Sequence, residues 1–335
     1  MKAMLLPRIA PIEERPLELR DLPEPEPGPG RLKVAVSACG ICRTDLHVIE
    51  GDLPEPGLPL VPGHQVVGRV EALGEGCERF EVGDRVGIAW LRETCGTCEF
   101  CRAGRENLCD DKRFTGYHAD GGFAEKTVVR EDFAYGIPET FGDAEATPLL
   151  CAGIIGFRSL RRARLPDGGR LGLFGFGSSA HIVIQIARSR GADVYVATRG
   201  ESHRRLAEEL GAVWTGGAYD PIPTPVHSAI VFAPAGEIVP VALRSLRKGG
   251  TVSLAGIHMS PVPEMEYGPC LFHEKTLQSV EANTRADGRE LLEEAADIPI
   301  RPSTTVFDLE DANEALVQLK HDGIDGTGVL RVAAD

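Results

Sequence analysis

Cys95-Gly-Thr-Cys98-Glu-Phe-Cys101, followed by Cys109, sets four thiols within fifteen residues in a C-x2-C-x2-C-x7-C array. Ionised, four sulfurs at that density can close a tetrahedral shell around Zn²⁺ with no position left open, which describes a structural site. Glycines at 96 and 104 let the chain fold back so that the sulfurs converge. The rival readings are an iron–sulfur cluster and a set of reduced, unliganded thiols. Cluster ferredoxins usually keep a different spacing, with a proline after the last cysteine.

A second group is dispersed along the chain. Gly40-Ile41-Cys42-Arg43-Thr44-Asp45-Leu46-His47 follows an expected strand, and Gly63-His64-Gln65 follows a proline turn. Cys151 stands in Pro148-Leu149-Leu150-Cys151-Ala152-Gly153, at the hinge between two differently patterned halves. Cys42, His64 and Cys151 make up the Cys2His set of a catalytic zinc, whose fourth position stays free for water or substrate. Singly, each is weak: a glycine-flanked histidine is often a turn residue, and a lone cysteine a small buried apolar group. Cys39 competes as a ligand through its C-x2-C pairing with Cys42, although two adjacent thiols would displace the open geometry. Cys77 and Cys270 have no metal partner in sequence and read as inert.

A third motif, Gly175-Phe-Gly177-Ser-Ser-Ala180, closes an expected strand and opens a helix as G-x-G-x-x-A. Its glycines permit a tight turn and the close approach of a pyrophosphate, which then rests on the helix N-terminus. Alone the motif is weak; inside a strand–helix–strand unit it gains force. The next strand, Val194-Tyr195-Val196-Ala197, ends in Thr198-Arg199-Gly200 where an NAD enzyme usually carries Asp or Glu. A carboxylate there would repel a 2′-phosphate, whereas a hydroxyl and a guanidinium attract it. NADP(H) is therefore expected over NAD(H), the alternative being that Arg199 merely points to solvent. Phe232-Ala233 and Ala255-Gly256-Ile257, at later strand ends, are expected beside the nicotinamide half.

Together these motifs resemble the zinc-dependent medium-chain alcohol dehydrogenases, and a tail segment, 280–289, is similar to a bacterial branch of that family. The match spans nearly the whole chain: the G-x-C-x-T-D-x-H run, the P-G-H turn, the four-cysteine lobe and the later nucleotide fold. The resemblance implies a catalytic zinc on Cys42, His64 and Cys151, and a structural zinc on Cys95, Cys98, Cys101 and Cys109. It also implies that Asp45 orients His64 through the free ring nitrogen, and that Arg43 pairs with the cofactor pyrophosphate. Thr44 takes the proton from the substrate oxygen in this reading and passes it by way of the nicotinamide ribose to His47, whose unperturbed pKa near ~6.5 suits a shuttle. The expected reaction is reversible hydride transfer between a primary or secondary alcohol and NAD(P)⁺. Two departures stand out. Gln65 replaces a glutamate common after the zinc histidine, and Gly153-Ile154-Ile155 offers only apolar contact where Thr or Ser often touches the nicotinamide.

Positioning these residues requires two kinds of scaffold. Short β-like runs separated by glycine and proline, at Arg31–Ala38, Val66–Leu73, Arg85–Ala89 and Phe123–Val129, predict a GroES-like, β-rich catalytic domain over 1–148. From 149 to 282 strands alternate with helices. Strands at Arg170–Phe174, Asp193–Ala197, Ser228–Ala233 and Thr251–Ala255, with helices at Ser178–Ser189, Glu201–Leu210 and Val239–Leu246, predict a Rossmann-type, doubly wound parallel sheet in an α/β fold. Residues 283–335, with a helix at Leu309–Leu319 and a strand at Gly328–Val332, are expected to return to the first domain.

Composition narrows the partners. A chain of 335 residues has room for two domains. Its net charge of −14 argues against nucleic acid, which favours a basic surface. No apolar run approaches the ~18 residues of a membrane span, and the opening seven residues are too short for a secretory signal. Nine cysteines, an odd number with six in two short runs, suit metal chemistry better than disulfides. A cytoplasmic homo-oligomer, dimer or tetramer, acting on a small alcohol or carbonyl is expected. A zinc-free quinone reductase, a polyol dehydrogenase, a fold recruited for binding alone and a zinc-ribbon nucleic-acid module are the alternatives.

Overall fold

The computed structural model describes residues 1–54, 56–298, 300–324 and 326–332. The chain divides into two compact units: Met1–Cys151 with Ala282–Ala296 and Arg301–Asp335, and Ala152–Glu281 with Asp297–Ile300.

The first unit is organised by the strand Arg31–Ile41. Leu32, Val34 and Val36 alternate onto one buried face, the period-two pattern of a half-covered strand. This strand pairs antiparallel with Gln65–Leu73, Lys126–Arg130 and Thr327–Arg331. Arg85–Ile88 and Ala134–Gly136 extend the sheet on one side and Thr304–Asp308 on the other, giving a seven-stranded mixed sheet. The C-terminal return is therefore built into the sheet itself, since Leu330 faces Cys39 across the ladder. Phe123, Phe133, Leu6 and Ile88 fill the core beneath it.

The second unit holds a six-stranded sheet in the spatial order Trp214–Gly216, Asp193–Ala197, Arg170–Phe174, Val226–Val231, Leu246–Leu254, Thr276–Ser279, every pair parallel. Numbered by sequence, that is the 3-2-1-4-5-6 arrangement of dinucleotide-binding sheets. The alternation of strands and helices read from sequence is thus realised as a Rossmann-type sheet. Val194, Val196, Leu171, Leu173 and Ile230 are fully buried, as expected of strands covered on both faces.

Several bounds differ from the sequence expectation. Leu149, Leu150 and Cys151 group with the first unit rather than the second, because Leu149 and Leu150 are buried and Leu150 packs over Gly87 of that unit's sheet. Residues 297–300 group with the second unit. Phe123 is not in a strand: its N–H bonds to Pro62 O, and regular pairing begins only at Lys126. The expected helix Leu309–Leu319 is a 3-10 turn, Leu309–Asp311, running into the α-helix Ala312–Lys320. Helices Ala152–Ala163 and Arg285–Asp297 were not foreseen. Among the described residues no helix is long and apolar enough to cross a membrane.

Candidate metal centres and cofactor site

Cys42 is the N-cap of the helix Arg43–Glu50 and so stands where a strand gives way to a helix. A cysteine is a poor cap, and Asp45 compensates by accepting the Cys42 N–H at 2.8 Å with Oδ2. The other oxygen, Oδ1, meets His64 Nδ1 at 3.0 Å. One buried carboxylate thus fixes both the turn that presents Cys42 and the ring of His64, leaving His64 Nε2 aimed at Cys42 Sγ, 3.4 Å away. Cys151 Sγ lies 3.9 Å from Cys42 Sγ. His64 itself follows Gly63, whose φ of +96° and whose absent Cβ, which would stand 2.4 Å from the Phe123 ring, both require glycine.

These distances suit a shared ion. Zn–S bonds of ~2.3 Å and Zn–N bonds of ~2.0 Å in tetrahedral array put sulfurs ~3.8 Å apart and a sulfur ~3.5 Å from the imidazole nitrogen. All three donor atoms lie within 4.8 Å of one another. The electrostatics agree. Burial alone would lower the His64 imidazole, yet the Asp45 carboxylate and the Cys42 sulfur outweigh it and lift it to about 10. Burial also pushes the Asp45 carboxyl up, against the pull of His64. The hydrogen bond from Cys151, with the adjacent imidazole, holds the Cys42 thiol well below its usual range. A pocket that favours positive charge between a sulfur and an imidazole is electrostatically suited to a cation.

Cys39 does not join this group. Its thiol is buried among apolar residues, donates to Gly40 O at 3.7 Å, and burial raises its pKa. Gln65 occupies the neighbouring position with its side chain buried above Gly40, and neither amide atom has a protein partner. Sequence reasoning singled it out only as a missing charge; the unpartnered amide beside the ligand set is visible in three dimensions alone.

The four-cysteine lobe projects between the short paired strands Leu91–Glu93 and Arg113–Phe114. Cys95 Sγ lies 3.5 Å from Cys109 Sγ and 3.9 Å from Cys101 Sγ, and all four sulfurs fall within 4.8 Å. The span is that of a single ion. Backbone N–H groups turn inward: those of Cys95, Cys98 and Cys101 donate to Cys109, Cys95 and Cys98 sulfurs. Backbone N–H groups of Thr97 and Cys98, first among the causes, draw the Cys95 thiol down to about 6. All nine cysteines are free, as their clustering suggested. Cys77 donates to Arg31 O and Cys270 is fully buried.

Sequence reasoning missed what anchors the lobe. Glu106 is buried, and its Oε1 accepts from Arg285 N at 2.9 Å and Arg285 Nε at 3.1 Å. Burial would raise the Glu106 carboxyl, but the bonds from Arg285 hold it below its ordinary value of 4.5. The stabilisation is therefore complete above that ordinary value and is lost as pH falls through the lower folded-state value. Glu106→Gln is expected to cost about 2 kcal/mol at pH 7 by thermal unfolding. The difference from wild type should shrink below pH ~4; an equal difference at both pH values would refute the ion pair. Trp90, just before the lobe, sets its ring edge-on to His64 at 5.0 Å and is stacked on Phe114 at 4.7 Å. The far side of the lobe thereby buttresses the histidine.

The remaining predicted residues are placed as follows. Thr44 addresses Cys42 Sγ with its backbone N–H at 3.4 Å. His47, one helical turn on, bonds through Nδ1 to Asp52 Oδ2 at 2.8 Å and is partly exposed. Arg43 pairs with Asp322 at 2.6 Å, both side chains more than half in solvent, an arrangement worth little in water. In the second unit, Gly175 turns the chain out of Arg170–Phe174 at φ +89°, where a Cβ would stand 2.9 Å from Ala233 N. Gly177 caps the helix Ser178–Ser189, and the space beside its Cα is open. Ala180 is buried in the first turn. Thr198 and Arg199 follow the adjacent strand, Asp193–Ala197, and Ile257 lies exposed beyond Leu246–Leu254. Gly175, Thr198, Ala233 and Ile257 therefore share the carboxyl edge of one parallel sheet, where such folds bind ligands.

Known proteins carry the same two-part organisation. Residues 28–139 match the alcohol dehydrogenase GroES-like domain, and residues 180–297 match the zinc-binding dehydrogenase family. The chain is 48% identical over 337 residues to the "Probable alcohol dehydrogenase AdhA" of Mycobacterium tuberculosis, covering 99% of this chain and 97% of that one. A cinnamyl alcohol dehydrogenase from Sorghum bicolor superposes with a TM-score of 0.90 at 28% identity, over 100% of this chain and 98% of that one. A zinc-binding dehydrogenase from Sinorhizobium meliloti 1021, solved with NADP bound, gives 0.85 at 28% identity over 99% of each chain. The two domain matches and the near-complete cover by a relative of almost half-identical sequence leave one assignment: the chain belongs to the zinc-dependent medium-chain alcohol dehydrogenase family.

Proposed function

We propose that this chain oxidises primary or secondary alcohols to aldehydes or ketones, reversibly, with one zinc at Cys42, His64 and Cys151, a second at Cys95, Cys98, Cys101 and Cys109, and NADP(H) preferred over NAD(H). The observation that carries the reading is the convergence of two sulfurs and one imidazole within 4.8 Å, with the imidazole's other nitrogen held by a buried carboxylate. Three protein donors leave a fourth position for substrate. Zinc, when bound, polarises the substrate oxygen and lowers the cost of removing its proton, while the nicotinamide takes up the hydride.

The chain's own residues would then do three things. Asp45 keeps His64 in one tautomer and orientation, so that Nε2 faces the ligand sulfurs. Thr44, at the first turn of the helix Arg43–Glu50 with its backbone N–H on Cys42 Sγ, would receive the proton from the substrate oxygen through its hydroxyl. His47 lies one turn further along the helix, bonded to Asp52 and partly in solvent, and so offers an exit for that proton. Thr44→Val is expected to lower turnover by ~10²–10³ while leaving metal content unchanged; normal turnover would remove the hydroxyl from the relay.

The second unit supports the cofactor half. Gly175 and Gly177 frame an open helix N-terminus for a pyrophosphate. Arg43 would exchange its solvent-exposed Asp322 partner for that group. Arg199 is exposed at the strand end, without a partner among the described residues. Arg199→Ala is expected to raise KM for NADP⁺ about tenfold and KM for NAD⁺ less than about twofold; equal shifts would defeat the NADP(H) assignment. A homo-oligomer is supported by exposed Tyr267 and Phe272 in the same unit as the edge strand Thr276–Ser279. Its proposed location is the cytoplasm.

A further inference from the structure

We infer that Arg204 is a positioning residue for cofactor selectivity: its guanidinium clamps the Thr198–Arg199 turn that receives the adenosine 2′-phosphate. The inference rests on the proposed preference for NADP(H).

The chain leaves the strand Asp193–Ala197 and enters the helix Glu201–Glu209 within three residues. Thr198 is buried and its N–H donates to Gly216 O of the neighbouring strand at 2.9 Å, which fixes one end of the turn. The other end has no such help, because Gly200 caps the helix without a side chain. Arg204 supplies it. Its N–H bonds to Gly200 O at 3.1 Å, placing it in the first helical turn, and its side chain reaches back over that turn. A single nitrogen, Nη1, donates to Thr198 O and to Arg199 O, each at 3.1 Å.

Two consequences follow from that contact. Carbonyl oxygens are the negative ends of peptide dipoles, and those of Thr198 and Arg199 lie in the turn that a phosphate dianion would approach. The guanidinium offsets both, and it also holds the turn in one conformation before the ligand arrives, so binding need not supply that ordering. Secondly, neither Arg199 nor Arg204 has a carboxylate partner among the described residues, in a chain of net charge −14. The turn therefore carries cationic side chains that no carboxylate among the described residues offsets, and an anion bound there would find both charges available. Arg199 is free to supply direct contact. Arg204, committed to two carbonyls, acts through the turn.

The test measures binding rather than turnover. Full-length, zinc-loaded protein is titrated calorimetrically with 2′,5′-ADP and with 5′-AMP, ligands that differ only in the 2′-phosphate, in wild type, Arg204→Met and Arg204→Lys. Wild type should favour 2′,5′-ADP. Arg204→Met should weaken 2′,5′-ADP about tenfold while 5′-AMP moves less than about twofold. A merely structural arginine would weaken both ligands alike. Arg204→Lys keeps the charge but ends one bond short of the Nη1 position that bridges the two carbonyls, and should lose at least about threefold in the ratio of the two affinities; it carries the test by itself if the methionine variant fails to fold. Complete rescue by lysine assigns the effect to bare charge and overturns the clamp, as does an unchanged ratio in either variant. A wild type indifferent to the 2′-phosphate overturns the NADP(H) reading, and the clamp with it.

Discussion

Cys151→Ser is expected to lower turnover by at least ~10³ and to reduce bound zinc from two equivalents per chain to one. Serine preserves the volume of the side chain but offers a hydroxyl that stays protonated at neutral pH, so the ligand set falls from three donors to two. Polarisation of the substrate oxygen is worth several kcal/mol, and each ~1.4 kcal/mol is a factor of ten in rate. The remaining pair, Cys42 and His64, are 3.4 Å apart and each is held by its own bond to Asp45, neither of which involves Cys151. The variant should therefore fold normally, with an unfolding midpoint near that of wild type. Metal analysis by mass spectrometry beside steady-state rates checks both halves of the expectation. Two zinc equivalents with unimpaired turnover would exclude Cys151 as a ligand.

Cys98→Ser should behave in the opposite way, damaging stability more than chemistry. The lobe from Cys95 to Cys109 contains little buried apolar surface; of its residues only Glu106, Asn107 and Cys109 are fully buried. On the proposed reading its fold comes from a shared ion together with the inward-turned N–H groups and the Glu106–Arg285 anchor. Metal binding of this kind is folding free energy outright. Losing even ~3 kcal/mol of it lowers the unfolding midpoint of a domain this size by ~6–12 °C. Limited proteolysis should cut the variant between residues 95 and 109 while wild type resists. Because Phe114 stacks on Trp90, and Trp90 abuts His64, a modest change in Trp90 fluorescence should accompany lobe opening. A variant as stable and protease-resistant as wild type would show that the four sulfurs do not share a metal.

These two experiments separate the roles that the clustering of cysteines could not. Four sulfurs saturate an ion and leave nothing for substrate, whereas two sulfurs and an imidazole leave one position. The contrast extends to solvent. His64 and Asp45 are almost wholly buried, so their pairing is little screened, while His47 and Arg43 reach water and pair with the exposed carboxylates of Asp52 and Asp322.

Much of this was legible in the linear chain because the evidence was local. The four-cysteine array, the G-x-G-x-x-A turn and the strand–helix alternation each lie within a few dozen residues, and their spacing is dictated by metal radius, by turn geometry and by helical period. The burial of Val194, Val196, Leu171 and Leu173 follows from the same apolar runs. What the linear chain could not decide depended on contacts between distant positions. Cys39 and Cys42 look equivalent in sequence, yet strand alternation and the helix N-cap send one thiol into the core and the other to His64. The hinge moved past Cys151 because Leu149 and Leu150 found their apolar partners in the first sheet. Helix Arg285–Asp297, overlooked for its weak apolar pattern, is held by Glu106, 179 residues earlier. Composition and spacing thus determined which chemistry this chain carries; burial and long-range hydrogen bonding alone decided which of its similar side chains perform it, since the cost of burying a polar group depends on what lies across from it in space.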